Sequence, residues 1–124
     1  MKNLLLVFVG GGIGSVLRYA LSRWINAQSV SHFPYGTFLV NIIGCFFIGF
    51  FVFYTERYDA EGLQWRLFLT TGLCGGFTTF STFSLENLTL IDEQRIFLFL
   101  TYTIGSIGLG ILATYGGLLA ARSI

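Results

Sequence analysis

Long uncharged stretches dominate the pattern of hydrophobic and polar positions along the chain. They cover residues 3–17, 24–55, 67–85 and 96–121. A helix that crosses a bilayer needs about 20 mostly apolar residues, and the last two stretches meet that length directly. The second is too long for one crossing, and His32 and Pro34 divide it. The first reaches full length only if it continues past Arg18. We therefore predict four spans, at about 3–24, 35–56, 65–87 and 95–121.

The same pattern predicts an all-α integral membrane protein with a single four-helix transmembrane domain over residues 1–124. Closed barrels also cross bilayers, but their strands alternate apolar and polar residues, and these stretches are continuously apolar. The first stretch differs from a secretory signal peptide, because glycines interrupt it and no small-residue cleavage site follows. We expect it to be retained as a helix.

Composition and charge narrow the possible functions. Charged residues make up 10% of the chain, compared with about 25% in soluble domains. The formal net charge of +1 predicts no nucleic-acid partner. Cys45 and Cys74 both fall within predicted spans, which is typical of small packing residues rather than of a disulfide or a metal pair. The sequence shows no nucleophile–base pair, metal-ligand cluster or phosphate-binding loop, and these absences argue against an enzyme.

Lysine and arginine residues in short loops usually orient a membrane protein. The four predicted spans divide the basic residues between the two sides, with Lys2, Arg57, Arg66 and Arg122 opposite Arg18, Arg23 and Arg95. Four against three gives almost no bias. The count is consistent with an ordinary protein oriented by other cues. It is also consistent with dual topology, in which both orientations are inserted and subunits pair antiparallel.

The third predicted span contains the most unusual stretch, GLCGGFTTFSTFS at residues 72–84. Its Gly75-Gly76 pair is a weak point for a helix, and hydroxyl residues follow at once, namely Thr78, Thr79, Ser81 and Thr82. Non-helical backbone at membrane depth survives only when it is buried in protein or lines a wet cavity. A break would free carbonyls that could hold a hard cation such as Na⁺. The alternative is an unbroken helix whose glycines allow close packing, but the adjacent hydroxyls favour the break.

Phe77, Phe80 and Phe83 recur at every third position of this stretch, so neighbours in the series lie close on one helix face. Such rings usually face lipid or a core. Here hydroxyl residues are interleaved with them, and an aromatic ring has an electropositive edge. Ring edges could therefore line a path for an anion and bind it weakly enough to release it.

Polar residues also lie within the second and fourth predicted spans. Thr37 and Asn41 are one turn apart in the second, where Asn41 could either join helices or face a pore. In the fourth, polar and small residues recur at i, i+4, i+8 and i+12, and this helix-four stripe comprises Tyr102, Ser106, Gly110 and Thr114. The stripe predicts either a hydrogen-bonding track or a close helix contact.

Charged residues within spans are functional candidates. Arg18 is the one that lies well inside a predicted span, unless its long side chain extends to the interface. Glu86 lies at the end of the third span, where we expect it to be solvated. His32 is expected to face solvent in its loop.

These features resemble the Fluc (CrcB) family of fluoride channels over the whole chain. The specific part of the resemblance is the third-span motif, Gly72-x-x-Gly75-Gly76-x-Thr78-Thr79-Phe80-Ser81-Thr82-Phe83. Supporting matches are GGGIGSVLRY at residues 10–19 and Gly36-Thr37-x-x-x-Asn41-x-x-Gly44. The glycines of the first span would be a weak signal alone.

The resemblance implies a passive channel that exports fluoride from a bacterial cytoplasm across the inner membrane. It implies an antiparallel, dual-topology homodimer with two pores, and a central structural Na⁺ held by the backbone carbonyls of Gly75 and Thr78. Phe80, Phe83 and Asn41 match pore-lining positions. The matching hydroxyl track would comprise Ser81, Thr82, Thr37, Tyr102, Ser106 and Thr114. Arg18 matches the family's first-helix arginine, whose role the resemblance does not define.

Two other classes stay open from the residues alone. A four-span multidrug exporter can also insert in both orientations, but coupled export of a cation needs a carboxylate deep in a span. The six acidic residues lie in loops or near span ends, which argues against it. A scaffold or accessory subunit is less consistent with the polar third span. Flux through purified protein in liposomes distinguishes the three classes.

Overall fold

The structure is a computed structural model that describes residues 1–58 and 62–124, and these ranges are helical apart from short connections. α1 spans Lys2–Ala27 and α2 spans Tyr35–Tyr58. α3 covers residues 63–77 in three consecutive parts, Leu63–Arg66, a π-helix at Leu67–Cys74, and Gly75–Phe77. α4 spans Phe80–Asp92 and α5 spans Ile96–Arg122. The predicted all-helical fold is confirmed for the described residues.

Three of these helices, α1, α2 and α5, are long and apolar enough to cross a membrane. They correspond to the predicted spans at about 3–24, 35–56 and 95–121. α4 has 13 residues, and at about 1.5 Å per residue it is shorter than a hydrocarbon core of about 30 Å. α3 is also too short to cross alone. A crossing built from α3 and α4 together, at about 65–87, stays a prediction.

The connection between α1 and α2 is shorter than the predicted loop at 25–34, because α1 continues to Ala27. Asn26 Oδ1 accepts a hydrogen bond from Gly36 N–H at 2.9 Å. This bond holds the first turn of α2 beside the last turn of α1. Pro34 immediately precedes α2. At this position a backbone N–H has no hydrogen-bond partner within the helix, so its absence in proline costs no helical hydrogen bond.

The predicted spans at about 35–56 and 65–87 leave a loop between them, which corresponds to the connection between α2 and α3. α2 continues to Tyr58 and α3 begins at Leu63. Asp59 and Glu61, which the prediction places in this loop, lie outside the described residues. An ion pair joins the two flanks, with Arg66 Nη1 3.3 Å from Glu56 Oε1. Both side chains are exposed, so the pair contributes little stability.

Glycines bring the backbones of α1 and α3 into direct contact. A Cβ atom at Gly14 would overlap the carbonyl oxygen of Leu73, and one at Gly76 would overlap that of Gly11. Within a membrane, small residues that let backbones approach closely are a main source of helix association. α1 therefore lies against the C-terminal end of α3, next to residues 78–79.

α2 packs along α5 over an interface as extensive as the one between α1 and α3. Small residues again set the separation of the two helices. A Cβ atom at Gly49 would overlap the carbonyl oxygen of Thr114, and one at Gly117 would overlap that of Phe46. The two packed pairs, α1 with α3 and α2 with α5, meet around the connection between α3 and α4.

Candidate functional site

Helical structure stops at Phe77 and resumes at Phe80. The two residues between them form an extended segment, in which Thr78 has φ −88° and ψ 159° and Thr79 has φ −150° and ψ 117°. Thr79 also caps the N-terminus of α4, because its Oγ1 accepts a hydrogen bond from Thr82 N–H at 3.3 Å. The extended segment therefore separates α3 from α4 within the predicted third span.

The glycine pair that the sequence marks as the weak point is itself helical. Gly76 lies against Gly11 of α1 too closely for any side chain, so it serves a backbone contact. The departure from the helix falls at the threonines that follow. Threonine hydroxyls compete for backbone hydrogen bonds, and Thr78 Oγ1 donates to the Cys74 carbonyl at 3.0 Å.

Asn41 of α2 binds the backbone of Thr79 with both ends of its side-chain amide. Oδ1 accepts from Thr79 N–H at 2.8 Å, and Nδ2 donates to the Thr79 carbonyl at 3.2 Å. In an unbroken helix the same N–H would donate to the Gly75 carbonyl, four residues back. Asn41 thus holds the extended segment, and one Nδ2 hydrogen is left for another acceptor.

Two polar residues of α1 reach neighbouring carbonyls. Arg18 Nη1 lies 3.4 Å from the Thr78 carbonyl oxygen, and Ser15 Oγ lies 3.5 Å from that of Gly76. Both distances are long for hydrogen bonds. The half-buried Arg18 nevertheless places its guanidinium at the extended segment.

A cavity of about 330 Å³ opens beside the extended segment. Its lining comes from α2, α3, α4 and α5 as well as from the segment. Several predicted site residues contribute to it, namely Asn41, Gly75, Thr78, Phe80, Phe83 and Ser106. Much of the remaining lining is apolar, including Ile48 and Ile107. The few polar groups that face such a cavity therefore decide what it can bind.

One polar atom at this cavity lacks a partner. Among the residues that the structure describes, Ser106 Oγ is buried and makes no hydrogen bond. Buried polar side-chain atoms in proteins are usually bonded, so an unpaired one indicates a water, an ion or a ligand. Ser106 is also the member of the helix-four stripe that lines the cavity.

Glu86 lies in a different setting from the predicted one. α4 continues to Asp92, so Glu86 is a half-buried residue within the helix and not a solvated residue at its end. Its carboxylate accepts from Thr37 Oγ1 at 2.5 Å and from Tyr102 Oη at 2.9 Å. Thr37 and Tyr102, predicted as donors to an anion, therefore donate to Glu86 in this chain. The sequence contained one signal that the helix continues past Glu86 with a buried face. This signal is Leu90, an apolar residue one turn after Glu86 that is 3% exposed in the structure.

The helix-four stripe, named for the fourth predicted span, lies on α5, and its members make different contacts. Tyr102 is fully buried and bonds Glu86, whereas Ser106 lines the cavity. At Gly110 an added Cβ would lie 3.5 Å from the Sγ of Cys45. Thr114 Oγ1 donates to the Gly110 carbonyl of its own helix at 3.0 Å. The stripe is thus partly a helix contact and only in part a cavity lining.

The aromatic and hydroxyl residues at the start of α4 differ in exposure. Phe83 is half-buried, and its ring centroid lies 5.0 Å from that of Tyr102. Phe80 is 77% exposed, and Ser81 and Thr82 are exposed as well. The predicted pore hydroxyls of α4 therefore lie on the outside of the single chain.

Residues 5–118 match the protein family described as CrcB-like protein, Camphor Resistance (CrcB). A similar protein from Phocaeicola vulgatus is 54% identical over 118 residues, which cover 95% of this chain and 97% of that protein. One from Flavobacterium psychrophilum is 44% identical over 124 residues, 100% of each chain. One from Oceanobacillus iheyensis is 47% identical over 117 residues, 94% of this chain and 89% of that protein. All three bear the name fluoride-specific ion channel FluC.

Proposed function

The chain belongs to the CrcB-like family, and from this membership we propose that it is a passive, fluoride-selective channel that exports fluoride across the cytoplasmic (inner) membrane of a bacterium. Its family and its long apolar helices make it a multi-pass membrane protein, and a member of a channel family is not an enzyme. The names of the relatives support fluoride as the ion.

The observation that carries the proposal is the cavity in which Ser106 lies with Phe80, Phe83 and Asn41. Fluoride is small and strongly hydrated, so a pore must replace its water with hydrogen-bond donors. The Ser106 hydroxyl is unpaired, Asn41 has one amide hydrogen to spare, and the ring edges are electropositive. These groups carry no full charge, so a bound anion can also leave.

The proposed assembly is an antiparallel homodimer with two pores. The hydroxyl residues Thr71, Ser81, Thr82 and Ser84 are exposed on the surface of the single chain. At membrane depth such groups favour contact with protein over contact with lipid, and a second copy would cover them. The antiparallel arrangement is supported by the four-to-three division of basic residues, which lets both orientations insert.

A structural Na⁺ fits the extended segment by its chemistry. Na⁺ is a hard cation, and unwound backbone carbonyls supply oxygen ligands for it in membrane proteins. The N–H groups that would bond the Gly75 and Thr78 carbonyls in a helix, those of Thr79 and Thr82, donate to side chains instead. The carbonyls of Gly75 and Thr78 would hold the ion, which would supply positive charge at the contact between subunits.

The position of Arg18 makes the two carbonyls that are proposed to bind Na⁺ unequal. A guanidinium 3.4 Å from the Thr78 carbonyl would weaken the binding of a second cation at that oxygen. The Gly75 carbonyl has no such neighbour among the contacts of Arg18, and Gly75 is exposed. Gly75 is therefore the better supported of the two.

Passive efflux from liposomes tests the channel proposal. Purified protein is reconstituted into vesicles loaded with potassium fluoride, valinomycin is added to carry the balancing potassium, and released fluoride is followed with a selective electrode. We expect rapid fluoride efflux from protein-containing vesicles and retention of chloride in a matched preparation. Protein-free vesicles are the control. Fluoride retention, or equal release of chloride, would contradict the proposal.

Glu86 makes a proton-coupled exporter the second candidate. The sequence argued against an exporter because the acidic residues lay near span ends, but Glu86 is half-buried between Thr37 and Tyr102. Carboxylates within transmembrane segments serve proton relays in pumps and transporters. The same liposomes separate the candidates when internal pH is followed together with fluoride, because passive efflux balanced by valinomycin moves no protons and a coupled exporter must move protons with every fluoride.

A further inference from the structure

Asn41 uses both polar ends of its side chain on a single backbone residue, 38 positions away in the sequence. The paired bonds fix the position of the Thr79 backbone relative to α2. Building on the proposed function, we infer that Asn41 is a positioning residue for the cation site. By accepting the Thr79 N–H, it keeps the Gly75 carbonyl free to bind Na⁺.

The Thr79 N–H has two competing acceptors. A backbone N–H away from water is almost always bonded, so it takes either the Gly75 carbonyl, which would continue the helix, or Asn41 Oδ1. The structure has the second arrangement, at 2.8 Å. The Gly75 carbonyl then loses its helical donor, and this exposed oxygen at the cavity is left to bind a cation or water.

The second bond of Asn41 fixes the direction of the amide. Nδ2 donates to the Thr79 carbonyl at 3.2 Å. If the amide were flipped, Nδ2 would face the Thr79 N–H, donor against donor, and Oδ1 would face the Thr79 carbonyl, acceptor against acceptor. The remaining Nδ2 hydrogen belongs to the same rigid group and is available to an anion in the cavity. One side chain thus links the proposed cation site to the proposed fluoride path.

The competing roles of Asn41 make different predictions. If Asn41 only donates to fluoride, its removal leaves the affinity for Na⁺ unchanged. If it only joins α2 to the extended segment, its removal lowers stability equally with and without Na⁺. A positioning role instead changes the Na⁺ concentration at which the protein responds.

The experiment measures thermal unfolding of the purified dimer in detergent as Na⁺ replaces N-methylglucamine at constant ionic strength, without fluoride. Asn41→Ala is expected to raise the half-saturating Na⁺ concentration by up to roughly tenfold, the upper end of the effect of one ordinary hydrogen bond. Asn41→Asp keeps an acceptor for the Thr79 N–H and, when protonated at mildly acidic pH, a donor for the Thr79 carbonyl. In that form it should stay within about threefold of the unsubstituted protein, while fluoride efflux is lost because no amide hydrogen remains for the anion. Ser106→Ala is the matched control, with reduced efflux and an unchanged Na⁺ response.

Each outcome decides the inference. An unchanged Na⁺ response in Asn41→Ala overturns it and leaves the channel proposal intact. If Asn41→Ala does not assemble, Asn41→Asp decides, because loss of its Na⁺ response would show that the acceptor is not what maintains the site. An unsubstituted protein that ignores Na⁺ overturns both this inference and the proposed cation site. The efflux measurement tests the channel itself separately.

Discussion

The substitution Ser106→Ala removes a buried hydroxyl that has no hydrogen-bond partner among the described residues. An unsatisfied buried polar group costs about 1–3 kcal/mol of stability. Alanine is smaller by only that hydroxyl and leaves little space behind. We therefore expect the free energy of unfolding to stay the same or to rise by as much as about 1–3 kcal/mol. Most substitutions in a protein core lower the free energy of unfolding. An unchanged or higher value for Ser106→Ala would therefore be unusual, which makes the measurement a strict test of the reasoning.

The same substitution should impair conduction. A hydrogen bond to a charged group contributes about 1.5–3 kcal/mol, and each 1.4 kcal/mol is a factor of about ten. If the Ser106 hydroxyl serves the permeating ion, its loss should slow fluoride efflux per dimer by roughly ten- to a hundredfold. The assays are unfolding in mixed detergent and efflux from liposomes, both normalised to the amount of dimer.

Thr103→Val is the matched control on the same helix. The Thr103 hydroxyl donates to Asn87 Oδ1 at 3.0 Å, and Asn87 is 7% exposed. Removing this bond should lower stability by about 0.6–2 kcal/mol and leave efflux per dimer unchanged. If Ser106→Ala instead lowered stability and kept full efflux, its hydroxyl would be a structural group, and the reasoning from its missing partner would be refuted.

Other substitutions test the packing, the rings and the topology. Gly117→Ala should lower stability by about 1–3 kcal/mol, because its Cβ would overlap the Phe46 carbonyl oxygen. Gly108→Ala has open space and should leave stability unchanged or raise it by up to about 1 kcal/mol. Equal losses of stability for both variants in detergent unfolding would contradict the observed α2–α5 contact. Phe80→Ile and Phe83→Ile should each lower fluoride efflux per dimer sharply, since isoleucine keeps apolar bulk but lacks an electropositive ring edge. Full efflux from both would place the path elsewhere. A reporter fused to the C-terminus should be active on both sides of the membrane, and activity on one side alone would rule out antiparallel insertion.

The sequence alone was sufficient for the three long helices, because each depends on a local run of apolar residues long enough to cross a bilayer. It predicted α1, α2 and α5 to within a few residues. The motif around Gly75 and Phe80 was sufficient for the family, since its glycines, threonines and phenylalanines are contiguous in the chain. The glycine pair at 75–76 was interpreted as the point of a helix break, but both residues are helical and Gly76 packs against Gly11, a contact that only the structure shows.

The tertiary structure decided which of these residues act together. Asn41 meets Thr79 across 38 positions, and Thr37 meets Glu86 across 49. Such pairs depend on how α2 is rotated against its neighbours, and spacing within one helix carries no information about that rotation. Glu86 was misplaced for a related reason, since its burial follows from the extension of α4 to Asp92 and from its contacts with two other helices. Whether a hydroxyl such as that of Ser106 is paired or free is likewise a property of the packed helices, because its possible partners lie on other parts of the chain.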